Sequence, residues 1–386
     1  MYPCFIVCRI LGMFPYRINA LNIKICKPCY ILSTIIISVF CFFTLIAMYV
    51  LNFSKEIVYT NLPVTKKFQD NFQLISGGFA VVVTFILSKP RMRLIQTIME
   101  ISSSLSSESY QNLSRLIHSK DIFGLVYIFV VASIIFYNLS DDILTKTFVL
   151  YNILFLFQID MIFINCVFVL KACFKQLNDN LINLVKLVTN DDTYILGSTY
   201  YNERNPLVLM KLKVLKKQHL MISDTVQVLN KIFSLPLLVT ISRTFLAITF
   251  ALYFYVMRWK IGMLYAENNV NGQIYDMVWI FIMTFFALKM GLLVWACETA
   301  KNQAIDINTA VHSVLNSISD KELKRELQLF ALQLVHHRNV FSAKWTNIDL
   351  TLFTAMVGGI TKHLVILIQF LFISCEVQPT INSDVN

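Results

Sequence analysis

Of the chain's 386 residues 56% are hydrophobic and 15% charged, with 31 Phe, a mean hydropathy of +0.63 and a formal net charge of +10. That balance excludes a soluble domain, and apolar blocks this long are helices rather than the short strands of a barrel, so the fold class is an all-α polytopic membrane protein. The basic surplus collects beside the apolar blocks, as the positive-inside rule requires, so no nucleic-acid partner is expected.

Residues 1–29 carry Arg9, Arg17, Lys24 and Lys27 and no acid. Arg9 and Pro15 interrupt a short apolar patch that lacks a small-residue cleavage site, so this stretch reads as a cytoplasmic N-terminus and not a signal peptide. Cys26-Lys27-Pro28-Cys29 has CxxC spacing, but no second pair with metal-ligand spacing follows, and no metal is expected. The nine Cys scatter through apolar segments and loops, which argues against a disulfide framework.

Seven apolar blocks follow: 30–53, 72–88, 122–139, 148–174, 234–257, 275–297 and about 346–375. The N-terminus and the second, fourth and sixth loops carry four, five, nine and six basic residues, against six in total on the opposite side. Positive-inside therefore places the N-terminus in the cytoplasm and the C-terminus, a tail over 376–386, outside. A G-protein-coupled receptor has the reverse orientation.

The fourth and sixth loops keep apolar residues at helical spacing through 177–187, 207–232 and 323–335, which predicts helices continuing into the cytoplasm and packing there. The polar stretch 190–205 reads as the turn between two of them. Two sequons, at Asn52 and Asn138, fall at outer helix ends, and a third, at Asn112, falls inside. The sequence holds no HExxH, P-loop, GxGxxG or nucleophile elbow, so neither an enzyme nor a cofactor is expected. His336 and His337 are adjacent, about 100° apart on a helix, and cannot chelate one metal; they read as solvated residues at a helix end.

Within spans, Asp160, Arg243 and Lys289 are ionisable, and such charges normally face protein and pair. Asp160 with Arg243 or Lys289 is read as a bundle-fixing ion pair, with a ligand or gating role as the alternative. In the last block Lys362, Ile366, Gln369 and Ile373 are spaced four, three and four apart and share one helix face. That face either bonds through Gln369 to a neighbouring helix or, repeated around an axis, lines a narrow apolar pore with one ring of amides.

The segment KHLVILIQF, residues 362–370, resembles the TYhhhhhQF signature of the insect gustatory receptor family. Lys362 and His363 depart from the family's Thr and Tyr. Upstream, Glu326–Thr361 is similar to the family's run before the motif, including Phe341, Ala343, Ile348, Asp349 and Leu352, while Lys344-Trp345-Thr346-Asn347 replaces its usual small-residue stretch. Residues 10–18, ILGMFPYRI, resemble its N-terminal segment. The family shares the inverted seven-helix topology that the charge distribution predicts.

The resemblance implies a multi-pass receptor of the plasma membrane, at a sensory dendrite, acting as a ligand-gated non-selective cation channel, most simply a homotetramer or a heteromer with other family members. Residues 30–345 would form six spans with ligand-binding bundle and cytoplasmic anchor, and 346–375 a split seventh helix, broken at Gly358-Gly359, lining the pore. Gln369, Phe370, Ile366, Ile373 and Lys362 would border the permeation path, with Lys362 either snorkelling to the inner mouth or, if the helix turns slightly, pointing toward a neighbouring helix or an acid. The partners implied are a small tastant, monovalent and divalent cations and the lipid bilayer. Depth alone nominates Tyr137, Tyr151, Phe155, Tyr253, Tyr255 and Trp279 for the ligand pocket. An odorant-receptor-like subunit working in heteromers, and a secondary transporter, are the competing readings; inverted repeats, which a transporter would show, are absent from the sequence.

Overall fold

The computed structural model describes residues 2–19, 22–53, 64–138, 143–189, 198–265, 270–317 and 320–381. It is helical almost throughout, in the order α1 Tyr2–Ile10, β1 Tyr16–Asn19, β2 Asn22–Ile25, α2 Lys27–Phe53, α3 Val64–Ile86, α4 Ser88–Ser102 and α5 Ser107–Asn138. There follow α6 Ile143–Thr189, α7 Ser198–Tyr265, α8 Val270–Ser317, α9 Lys321–His336, the pair β3 Ser342–Ala343 and β4 Thr346–Asn347, and α10 Leu350–Ile381. Both hairpins are antiparallel.

Six helices are long and apolar enough to cross a membrane, and α3 with α4 adds a seventh span bent by 64°. The bend has a local cause. Pro90 has no amide hydrogen to offer the preceding turn, so the ladder of α3 ends at Leu87 and restarts at Ser88. Inside the bend Arg91 is 3% exposed, donates to the Thr84 carbonyl and lies 6.0 Å from the Phe233 ring.

The helices α6, α7 and α8 hold 47, 68 and 48 residues. At a rise of about 1.5 Å per residue each greatly exceeds a bilayer core of ~30 Å. The predicted helical extensions of the fourth and sixth loops are therefore present, and they pack against α9. Lys216 pairs with Glu326 at 3.1 Å, and Gln333 donates to the Lys216 carbonyl at 3.0 Å. Asn230 clamps the segment after α9 by donating to the Val340 carbonyl at 2.7 Å and accepting from the Ser342 amide at 3.2 Å.

Burial is uneven in a way that bears on function. The apolar window of α6 is 89% buried inside the chain, whereas that of α10 is only 11% buried. The first helix is the bundle's axis and the second its outer wall.

The N-terminal segment is no loose tail. Gly12, at φ +74, turns the chain back after α1, a conformation that glycine adopts without strain. Its carbonyl accepts from Ser33, while Tyr151 donates to the Leu11 carbonyl at 2.9 Å and Gln158 to the Cys4 carbonyl at 3.0 Å. Composition had marked residues 1–29 only as basic; the ties to α2 and α6 use backbone carbonyls, which carry no sequence signature.

Two boundaries at the other end also differ from expectation. The seventh helix is not broken at Gly358-Gly359: α10 runs unbroken through both, and the described interruption lies between His336 and Leu350. A glycine pair in a membrane helix need not break it when a neighbour fills the notch, and a Cβ on Gly359 would stand 3.0 Å from the Phe245 ring. The helix also continues to Ile381, into the segment expected as tail.

Candidate functional site

The helix α10 starts at a well-built cap. Asp349 accepts from the Thr351 and Leu352 amides at 3.1 and 3.2 Å and from the Thr351 hydroxyl. That hydroxyl first, then the two amides and Lys301 at 3.8 Å, hold its carboxyl below the ordinary aspartate range, against a smaller opposing effect of burial. The contact with Lys301 joins α8 to the beginning of α10.

Further along, Met356 and Ile360 turn inward and are buried. The opposite face is uncovered: Lys362 and Gln369 are exposed, Ile366 is 40% and Phe370 64% exposed. The structure thus brings Lys362, Ile366, Gln369 and Phe370 onto the part of α10 that this chain leaves bare; the Ile373 side chain lies outside the described residues. His363 is exposed as well, yet it touches the bundle. Its ring meets Phe245 of α7 edge-on, centroids 5.6 Å apart, and its Nδ1 lies 2.8 Å from the Gly359 carbonyl.

Inside the bundle, Lys289 of α8 stands 3.0 Å from Asp160 of α6, both almost completely buried. The ammonium approaches as an ion pair, not along a hydrogen-bonding direction, and both carboxylate oxygens lack a directed donor. Arg243 of α7 takes other partners: it donates to the Gln73 carbonyl at 2.9 Å and to the Asn152 side-chain oxygen at 3.3 Å. Gly77 makes room for that amide, since a Cβ there would sit 2.3 Å from Asn152 Nδ2. Of the two alternatives for Asp160, Lys289 is therefore its close contact, while Arg243 knits α3, α6 and α7 together. Asn152 and the Gln73 carbonyl were not legible as partners, being neutral groups in apolar surroundings.

The aromatic candidates among the described residues differ in burial and in partner. Tyr151 spends its hydroxyl on Leu11, and Phe155 is a fully buried core residue 5.8 Å from the Tyr151 ring. Tyr253 is buried, edge-on to Phe254, whereas Tyr255 is exposed. The side chains of Tyr137 and Trp279 lie outside the described residues. Depth in the sequence cannot tell which way a helical ring points, and here it grouped residues from different faces.

Outside the spans, His219 is fully buried between α7 and α9, with Gln333 at 3.0 Å from Nδ1 and Asn339 and Ser223 each at 3.3 Å from Nε2. Of the pair read as solvated, His336 is exposed at the last turn of α9, and His337 lies 3.4 Å from Gln227. Among the described residues no three His, Cys, Asp or Glu side chains are placed to hold a metal ion.

Comparison with known proteins adds three findings. A family model described as 7tm chemosensory receptor matches residues 1–372. The putative gustatory receptor 28b of Drosophila melanogaster is 34% identical over 160 residues, 39% of this chain and 32% of that protein. The putative gustatory receptor 28a of the same fly is 28% identical over 167 residues, 42% of this chain and 36% of that protein. These matches span about a third of the relatives' length. Among solved structures, the insect olfactory receptor OR5 from Machilis hrabei shares the fold with a TM-score of 0.68 over 96% of this chain and 97% of that chain, at 13% identity. The same receptor in complex with eugenol gives 0.64 over the same shares.

Proposed function

The chain belongs to the 7tm chemosensory receptor family, and from that premise we propose that it is a gustatory receptor acting as a ligand-gated, non-selective cation channel of the plasma membrane. The observation that carries this reading is the bare face of α10. A membrane-length helix that buries 11% of its apolar window in its own chain, yet carries Lys362 and Gln369 on the open side, needs water or further protein there. Four copies arranged around that face give a pore lined by Ile366 and Gln369, with Phe370 beside them. A ring of apolar side chains gates by dewetting, and a ring of amides replaces part of an ion's hydration shell. The extensions of α6, α7 and α8 with α9 form the cytoplasmic anchor, and the ligand enters the bundle from outside.

A heteromeric assembly, as in an odorant-receptor-like subunit, is favoured by one feature: Lys362 on the bare face. Four ammoniums around a cation path repel the permeant ion, and mixing subunits dilutes them. Expression of this chain alone, with whole-cell currents recorded against a panel of bitter compounds and sugars, tests the homomeric reading. Currents that arise only on co-expression with another receptor of the family favour the heteromer; silence in both settings counts against the channel.

A further inference from the structure

We infer that Cys26 and Cys29 form a redox-active dithiol, a modification site that peroxide converts to an intrachain disulfide. Cys26 immediately precedes α2 and Cys29 lies in its first turn, so the helix folds the two thiols onto each other. Cys29 Sγ donates to Cys26 Sγ at 2.8 Å, and Arg9 of α1 donates to Cys29 Sγ at 3.1 Å. Thiolate is the reactive form, and the Arg9 guanidinium is placed to pair with the Cys29 sulfur once its proton has left. Access is graded as well. Cys26 is half-buried, whereas Cys29, Cys4, Cys8, Cys166, Cys173 and Cys297 are buried.

The chemistry balances. The Cys26 thiolate attacks one oxygen of hydrogen peroxide, the O–O bond breaks, and Cys26 becomes a sulfenic acid as hydroxide leaves. The Cys29 thiolate then attacks the Cys26 sulfur; the S–O bond breaks and the oxygen leaves as water once protonated. Together two thiols and one peroxide give one disulfide and two waters. The product sulfur is a poor acceptor, so oxidation also releases Arg9 and loosens α1 from the entry of α2. Reversibility in a cell rests on the inside placement of the N-terminus proposed above, because cytosolic thiols are kept reduced.

The test uses cells expressing the full-length receptor, treated with hydrogen peroxide, acid-quenched and alkylated with N-ethylmaleimide. Mass spectrometry then weighs the peptide carrying both residues. It should lose both alkyl labels and two hydrogens before Cys41 loses its label, and dithiothreitol should restore it. Arg9→Ala should slow the conversion several-fold, with Arg9→Lys recovering most of the rate. A peptide that keeps both labels while Cys41 is oxidised overturns the inference, as does a lasting adduct on Cys26 alone. A pair already bridged in untreated cells places the N-terminus in an oxidising compartment, which overturns the inside placement and, with it, the switch. Since the wild-type chain alone gives these outcomes, misfolding of an Arg9 variant cannot obscure them.

Discussion

Lys289 of α8 and Asp160 of α6 face each other at 3.0 Å in the centre of the bundle, both shielded from solvent. Neither charge has water to fall back on, so the two residues depend on each other far more than a surface pair does. The pair fixes the rotational setting of α8 against the most deeply buried helix in the chain.

Breaking it from one side should therefore be severe. Asp160→Asn leaves the ammonium uncompensated and should destabilise the receptor by about 3–5 kcal/mol, the usual range for orphaning a buried charge. Lys289→Met should do the same from the other side, and the double variant should recover most of the loss. Fluorescence-detected size exclusion after a temperature series measures this. Additive losses in the double variant would mean that the two residues act independently.

Asp349 caps α10 at its first turn, and its loss should cost about 1 kcal/mol, the typical value of an N-cap side chain. Asp349→Ala should lower the thermal midpoint, while Asp349→Asn, which still accepts from the amides, should stay close to wild type. Because the folded carboxyl titrates below its ordinary range, its contribution is complete above the unfolded pKa of about 3.9 and fades as pH falls through the folded value. A difference between wild type and Asp349→Asn that appears only in acid, where the carboxyl is protonated, would contradict the assignment.

Much of the fold was legible because membranes enforce a coarse grammar: apolar block length gives spans, and helical spacing gave the extensions of α6 and α7 together with α9. What escaped was contact chemistry that apolar composition hides. Arg91 reads as one more inner-loop cation, yet the bend at Pro90 folds it inside. Asn152 carried no signal in the sequence, yet its side-chain oxygen accepts from Arg243. Gly358-Gly359 reads as a hinge, yet the Phe245 ring fits against Gly359 and the helix continues. At the candidate site, Lys362, Ile366 and Gln369 share one exposed face of α10, a grouping that spacing along a single helix gives without tertiary information. The pocket aromatics come from several helices whose rotations only packing decides, so depth in the sequence did not foretell that Phe155 and Tyr253 are buried while Tyr255 is exposed.

The basic bias of 24 residues on one side against six on the other predicts an N-terminus inside and a C-terminus outside. Epitope tags at the two ends should stain only after permeabilisation for the first and without it for the second. The opposite pattern would remove the channel reading along with the orientation.

Gln369 should govern conduction, not ligand affinity, because it sits on the bare face of α10 and makes no contact with the bundle interior described here. Gln369→Glu in a homotetramer puts four carboxylates around the path and should strengthen block by divalent cations or shift relative permeability. The half-maximal tastant concentration should move less than two-fold. If permeation stays unaltered while the agonist response shifts, Gln369 faces the bundle or a lipid and not ions.

Lys362 and His363 depart from the family motif side by side, and the structure gives them separate tasks. His363 takes the place of the motif's Tyr against α7, with its ring edge on Phe245. Lys362, about 100° round the helix, is left on the exposed face. Under the proposed channel reading its long stem would carry the ammonium toward the inner mouth, where water solvates it, and it would tune current without closing the path. Lys362→Thr should accordingly raise inward cation current about two- to five-fold, the size expected from removing a partly screened like charge, with selectivity among cations unchanged. His363→Tyr, which keeps an aromatic ring against Phe245, should leave conductance as it is, whereas His363→Ala should weaken folding through lost packing. Single-channel recording separates the three. A Lys362→Thr receptor with unchanged unitary current would place the ammonium away from the ion path, and a chain that conducts only as Lys362→Thr would show that the native subunit needs a partner of different sequence.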